Sequence, residues 1–110
     1  RKVLYTGKFS QLVVMSLLPG EEIGEEVHDH VDQFFRFEVG EGKVILDGEE
    51  VLFAADDVVI MPAGVKHNVI NTSANETLKL YTIYSPANHP EGTIHATKAE
   101  AVAAEEAEHH

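Results

Sequence analysis

Cysteine is absent from the 110-residue sequence. That absence removes three chemistries at once: disulfide cross-links, thiolate metal ligands and a Cys nucleophile. A cysteine-free chain suits a reducing compartment, and a cytoplasmic location is expected. Basic residues are scarce. Lys plus Arg number 8 against 19 Asp plus Glu, a net charge of −11 at neutral pH. Such a surface repels phosphate backbones and anionic lipid headgroups, so neither nucleic acid nor a membrane is expected as a partner. No apolar run approaches the roughly 20 residues that span a bilayer. The opening Arg1-Lys2-Val3-Leu4-Tyr5 lacks the apolar stretch of a signal peptide. Core-forming residues are not lacking. The chain is 44% hydrophobic and 25% charged, ordinary values for a folded protein, and its length allows a single domain.

From residue 2 to about residue 85 the sequence reads as short strands punctuated by Gly, Asp, Asn and Pro. Phe9 to Leu18 is an apolar, β-branched run closed by Pro19-Gly20. Gln33 to Val39 alternates, with Gln33, Phe35, Phe37 and Val39 on one face and Phe34, Arg36 and Glu38 on the other. Gly40-Glu41-Gly42 turns the chain. Lys43 to Leu46 and Glu50 to Phe53 flank Asp47-Gly48, a hairpin signal because both residues tolerate positive φ. Val58 to Met61, Val65 to Asn71 and Leu78 to Ser85 complete the set. So many short strands without a helical period predict an antiparallel barrel or sandwich. Composition changes after Pro86. Residues 97–108 are rich in Ala and Glu, and Thr97 with Glu100 forms a T-x-x-E capping box, which predicts a C-terminal helix. The division expected is a barrel with its following loop over 1–96 and the helix over 97–110. His109 and His110 are set aside as a tag remnant.

A strand protein without Cys can still hold a metal through His and carboxylates. The remaining histidines are His28, His30, His67, His89 and His95. His28 and His30, two apart, share a face on an extended strand, yet such a pair also describes two surface histidines in an acidic loop. A second segment adds weight. Pro62-x-Gly64-x-x-His67-x-x-x-Asn71 resembles the second conserved motif of the cupin superfamily. Pro and Gly would make the tight turn, His67 would open the next strand with its side chain inward, and Asn71 would close that strand by hydrogen bonding in a turn.

The first cupin motif runs Gly, five residues, His-x-His, three or four residues, Glu, six residues, Gly. Placing His28 and His30 on the H-x-H puts Glu22 where Gly belongs and Phe34 or Phe35 where the acid belongs. A shift of two residues restores the spacing. Gly20 precedes Glu26-x-His28, Gln33 follows after four residues, and Gly40 after six more. The resemblance then implies a ligand set of Glu26, His28, Gln33 and His67. Its charge is −1, the same as the usual three imidazoles and one carboxylate, with the carboxylate moved and a neutral amide in its place. In this register His30 points away from the site, either solvated or hydrogen-bonding a ligand, and Gln33 either coordinates directly or holds a bound water.

The resemblance covers residues 10–86 and is to the small single-domain bacterial cupins. His89 to His95 is similar to a segment found after the barrel in a subgroup labelled sugar-phosphate or mannose-6-phosphate isomerase-like. It implies a double-stranded β-helix, or jelly-roll, barrel and a divalent metal, with Mn, Fe, Ni, Co and Zn all compatible with this donor set. Two functions follow from different classes. One is a metal-dependent enzyme, isomerase-like or dioxygenase-like, acting on a small oxygen-rich substrate such as a sugar, a sugar phosphate or an enediol. The other is a non-catalytic module that binds or senses a small molecule. His89 and His95 are expected to help dock the C-terminal segment. The phenylalanines are expected in the core, with Phe35 and Phe37 the better candidates for a pocket wall. A homodimer is expected, because a small open-edged barrel gains from burying its strand edges.

Overall fold

The alternation in the sequence closes into two antiparallel sheets. A computed structural model describes residues 1–87, and every regular element among them is a strand. These are β1 (Lys2–Thr6), β2 (Gln11–Leu17), β3 (Asp32–Val39), β4 (Glu41–Leu46), β5 (Glu49–Ala54), β6 (Val58–Met61), β7 (His67–Asn71) and β8 (Leu78–Ser85). One sheet has the order β1-β2-β8-β3-β6 and the other β5-β4-β7. The chain repeatedly leaves one sheet for the other, the connectivity of the expected jelly roll. Among the described residues no helix is long and apolar enough to cross a membrane. The expected helix from Thr97, His89 and His95 lie outside the described residues.

Gly40 makes the first change of sheet possible. It alone separates β3 from β4, at φ +104°, and a Cβ there would sit 3.2 Å from Leu78 Cα. A side chain would meet both backbone strain and a packed neighbour. The β4–β5 hairpin turns on Asp47 (φ 47°) and Gly48 (φ 85°), the positive pair that a two-residue type I′ turn demands. Asp47 also ties that turn to the approach of β7. Its N–H donates to the Lys66 carbonyl at 2.8 Å, and its Oδ1 accepts from the Lys66 N–H at 2.9 Å.

Inside, Phe37 stacks on Phe53 with ring centroids 3.6 Å apart and planes 10° apart, and Phe35 lies 6.1 Å from Phe37. Phe35 and Phe37 are fully buried in the hydrophobic cluster with Val13, Val44, Val69 and Leu80. They pack in the core. Several boundaries differ from the sequence reading: β3 begins at Asp32, β4 takes in Glu41 and Gly42, and β5 runs one residue longer at each end. The second strand is Gln11–Leu17 and not Phe9 to Leu18, and the seventh begins at His67 and not Val65. Val39 does not share the inward face of Phe37. The register with β8 shifts between those two residues, and the irregularity turns Val39 outward.

Gly42 lies mid-strand between β5 and β7, opposite Phe53 and Asn71. A Cβ there would overlap the Ile70 carbonyl oxygen and approach Phe53 Cζ to 2.6 Å. The carbonyl belongs to a neighbouring strand and cannot swing aside like a side chain. Gly42→Ala is therefore expected to cost about 3 kcal/mol, the upper end of overpacking penalties. Urea unfolding should show a lower midpoint at unchanged slope.

Candidate metal centre

The residues that precede β3 are placed by β7. The Gly20 N–H donates to the Asn71 carbonyl (3.2 Å), the Asn71 N–H to Glu21 (2.9 Å) and the Ile23 N–H to Val69 (2.9 Å). Glu26 and His67 exchange both of their backbone hydrogen bonds, each at 2.8 Å. Between these contacts the Gly24 N–H donates to Asn68 Oδ1 at 2.9 Å. Residues 20–26 thus run as a broken fourth strand along the edge of the smaller sheet. Past it, the Gly64 N–H donates to the His28 carbonyl at 2.9 Å. Asn71 fastens the other end. Its amide donates to the carbonyls of Leu17 (3.0 Å) and Glu76 (2.9 Å), and its Oδ1 accepts from the Ser73 N–H (3.0 Å).

Pairing Glu26 with His67 brings three side chains together. Glu26, His28 and His67 each present one ligand atom, all within 4.8 Å of one another. Glu26 Oε2 lies 2.8 Å from His28 Nε2, and the two imidazoles are 5.3 Å apart at 47°. His67 Nδ1–H donates to the Val65 carbonyl at 3.1 Å. In the neutral ring that leaves the lone pair on Nε2. Burial holds the His67 pKa below its ordinary 6.5; the Val65 carbonyl and Glu26 pull it upward and His28 pushes it down, without overcoming desolvation. The neutral ring is the metal-binding form.

Gln33 enters from the opposite sheet. It is 2% exposed, and its Oε1 has no hydrogen-bond partner. Its strand neighbours are Tyr84 and Met61, and the Tyr84 ring meets His28 edge-on at 6.0 Å. His30 sits exposed in the turn with Asp29, outside the three-residue group. Sequence reasoning missed two neighbours of the site. Arg1, with its side chain 5% exposed, places Nη2 3.5 Å from Glu26 Oε1. Nothing in its sequence position signals this. Tyr84 had a signal, the inward phase of the alternating strand Leu78 to Ser85, but no spacing that ties it to His28.

The barrel interior is graded. Across β2, β8, β3 and β6 one inward row is Gln11, Tyr84, Gln33 and Met61; the next is Val13, Thr82, Phe35 and Val59; a third is Met15, Leu80 and Phe37. Polar groups collect at the end where Glu26, His28 and His67 meet, and the far end is aromatic and aliphatic. Two imidazoles, one carboxylate and a buried amide oxygen without a partner fit a divalent cation. Buried polar atoms ordinarily find partners, and Gln33 Oε1 is buried without one on the row that also carries Tyr84, whose ring meets His28.

A family model described as the cupin domain matches residues 13–84. The chain belongs to the cupin family. It is 51% identical over 112 aligned residues to the uncharacterized protein YrkC of Bacillus subtilis (strain 168), covering 96% of this chain and 60% of that protein. The cupin chain thus spans about three fifths of that curated relative. The crystal structure of BH2720 from Bacillus halodurans superposes with a TM-score of 0.91 at 45% identity, over 94% of this chain and 83% of that one. A predicted oxalate decarboxylase from Thermotoga maritima superposes with a TM-score of 0.66 at 26% identity, covering 70% of this chain and 66% of that one.

The lowered His67 pKa carries a pH dependence for the metal-free cupin. Above the unfolded value of about 6.5 neither state carries the proton, and the full stability is present. As pH falls through that value the unfolded chain takes up a proton that the folded ring resists, so stability declines, levelling off only below the folded pKa. Urea unfolding after chelator treatment should show wild type losing stability between about pH 7.5 and about pH 5.5, and His67→Gln losing less over the same interval.

Proposed function

We propose that Glu26, His28 and His67 hold one divalent metal ion and that the cupin is a metal-dependent enzyme acting on a small oxygen-rich molecule. The observation that carries this reading is the convergence of the three ligand atoms within 4.8 Å at the polar end of the barrel. Gln33 Oε1 completes the coordination or holds a bound water. The donor set suits Mn, Fe, Co, Ni or Zn; without thiolates nothing in it selects zinc. A bound ion supplies Lewis acidity, or lowers the pKa of its water, toward a substrate that chelates through oxygen.

The chain's own residues set the conditions for that chemistry. The Val65 carbonyl fixes the His67 ring with Nε2 toward the site. Glu26 brings the one negative charge, and Arg1 stands beside its second oxygen. The apolar rows below keep water from the inner side. Isomerisation of a sugar or sugar phosphate and dioxygenation of an enediol are the reaction classes that fit such a site. Likeness to a predicted oxalate decarboxylase supports small oxygen-rich acids as a further substrate class. The protein is proposed to work in the cytoplasm as a homodimer.

The test is metal content of untagged protein after loading, followed by turnover of chelating sugars, sugar phosphates and dicarboxylates. About one ion per chain is expected. His28→Ala and His67→Ala should each abolish it, His30→Ala should leave it unchanged, and Gln33→Ala should weaken affinity by about 10–100-fold, the usual cost of losing a supporting group. Wild type without stoichiometric metal would overturn the reading. Full metal with ligand binding but no turnover of any substrate would replace the enzyme by a binding or sensing module.

A further inference from the structure

Two oxygens inside the barrel are buried without a hydrogen-bond partner and stand on adjacent strands. Gln33 on β3 is 2% exposed and Thr82 on β8 is fully buried, and neither Gln33 Oε1 nor Thr82 Oγ1 is hydrogen-bonded. The register places them together. Gln33 pairs with Tyr84 and Phe35 with Thr82, so Gln33 and Thr82 are diagonal neighbours on one inward face. Side chains so related have Cβ atoms somewhat under about 7–8 Å apart. One further oxygen, about 2.8 Å from each, spans such a pair. Tyr84, directly opposite Gln33, meets His28 edge-on at 6.0 Å, so the pair is one side chain removed from the candidate metal centre.

Neither oxygen is needed to fill space. Valine has nearly the shape of threonine, and Thr82 lies between Val13 and Phe35, where an apolar side chain would cost less. A methionine or leucine would fill the place of Gln33, as Met61 does beside it. Buried polar atoms ordinarily find partners, so the pair is built to receive one. Its chemistry narrows what that partner is. An amide oxygen only accepts, so the partner must bring an O–H or N–H; a threonine hydroxyl both donates and accepts. A neutral hydroxyl meets both demands, donating to Gln33 Oε1 and accepting from Thr82 Oγ1–H. An ionised carboxylate or phosphate oxygen brings no proton for Gln33 Oε1.

We infer that Gln33 and Thr82 form a hydroxyl-reading subsite beside the metal centre. The substrate then carries a further neutral hydroxyl besides the oxygens that chelate the ion. Among the substrate classes proposed above, this selects sugars, sugar phosphates and hydroxy acids over simple dicarboxylates such as oxalate. It also gives Gln33 the second of its two roles, holding an oxygen and not coordinating directly. Water has the same donor and acceptor chemistry and serves the pair between substrates. The inference rests on the metal-centre reading for the chelated end of the substrate; the hydroxyl end stands on Gln33 and Thr82 alone.

Titration calorimetry on Mn-loaded protein tests this by comparing lactate with glycerate, which adds one terminal hydroxyl, and the same pair lengthened by one carbon. In one pair or both the added hydroxyl should tighten binding at least about tenfold. Thr82→Val should abolish that preference, Thr82→Ser should retain it, and oxalate affinity should change with neither. Equal affinity within both pairs, or a preference that survives Thr82→Val, would overturn the subsite. A crystal structure of the metal-free protein supplies a readout that needs no ion. An ordered oxygen within about 3 Å of both Gln33 Oε1 and Thr82 Oγ1 is expected, and its absence would overturn the pairing of these two groups. An ordered oxygen without any hydroxyl preference would leave a structural water and overturn the substrate role. Protein that takes up no Mn would overturn the metal reading instead, and the crystal structure would then decide the hydroxyl site by itself.

Discussion

The paired backbone hydrogen bonds between Glu26 and His67 are the contact on which the site depends. His67 opens a regular strand, but Glu26 and His28 belong to a segment with no ladder of its own beyond two isolated bridges. Its position is borrowed from β7, through bonds spread from Gly20 to Glu26. A slip of one residue in that pairing would turn the Glu26 carboxylate out and bring Glu25 or Val27 inward. Register is therefore secured at several points. Asn68 Oδ1 takes the Gly24 N–H where the ladder is broken, and Asn71 binds the end of β2 and the turn before β8. A metal centre needs its donors held to within a fraction of an ångström, and a rigid strand edge supplies what a free loop does not.

Much of this was legible in the sequence, for a reason that differs from element to element. Strand existence followed from period-2 alternation, which a buried face enforces on every residue, and Val58–Met61 and Leu78–Ser85 coincide with the observed strands. Asp47-Gly48 was legible because its backbone conformation has a chemical signature. The outward turn of Val39 was not, because a register irregularity between Phe37 and Val39 leaves no mark on composition. At the site, the spacing from Gly20 through Gln33 to Gly40 nominated Glu26 in preference to His30, and the structure groups Glu26 with His28 and His67 while leaving His30 exposed. Arg1 and Tyr84 were illegible as site neighbours. They lie 25 and 56 positions from the residues they meet, and only the fold creates those contacts.

The graded interior explains how one small barrel keeps a buried polar cluster and a packed core together. A core of this size has little burial to give away. Most of the buried polar groups gather toward one end, with Gln11, Tyr84 and Gln33 in one inward row and Thr82 in the next; Asn71, beside Gly42 at the other end, is the exception. The opposite end concentrates its apolar contacts, with Phe53 stacked on Phe37 and Phe37 beside Phe35. Thr82 marks the transition: it is fully buried between Val13 and Phe35, and its Oγ1 has no hydrogen-bond partner. Such an atom costs free energy that an apolar residue would not. Gln33 Oε1 is a second buried oxygen without a partner, on the neighbouring inward row.

That arrangement also accounts for the two faces of the larger sheet. Each of its strands sends one set of side chains to the barrel interior and the other outward, so the same five strands must satisfy two different environments. Inward, the sequence grades from Gln11, Tyr84 and Gln33 to Met15, Leu80 and Phe37. Outward, it holds apolar residues in both central rows, with Arg36 bound to Asp56 at 2.9 Å and no carboxylate in the rows themselves. In a chain so acidic, these two rows, through Phe34 and Arg36, hold no Asp or Glu, and the acids of β3 stand toward its ends, at Asp32 and Glu38. The strands that carry Gln33 and Tyr84 pair on both edges, β3 with β6 and β8, and β8 with β2 and β3, and side chains built on them inherit that fixed register.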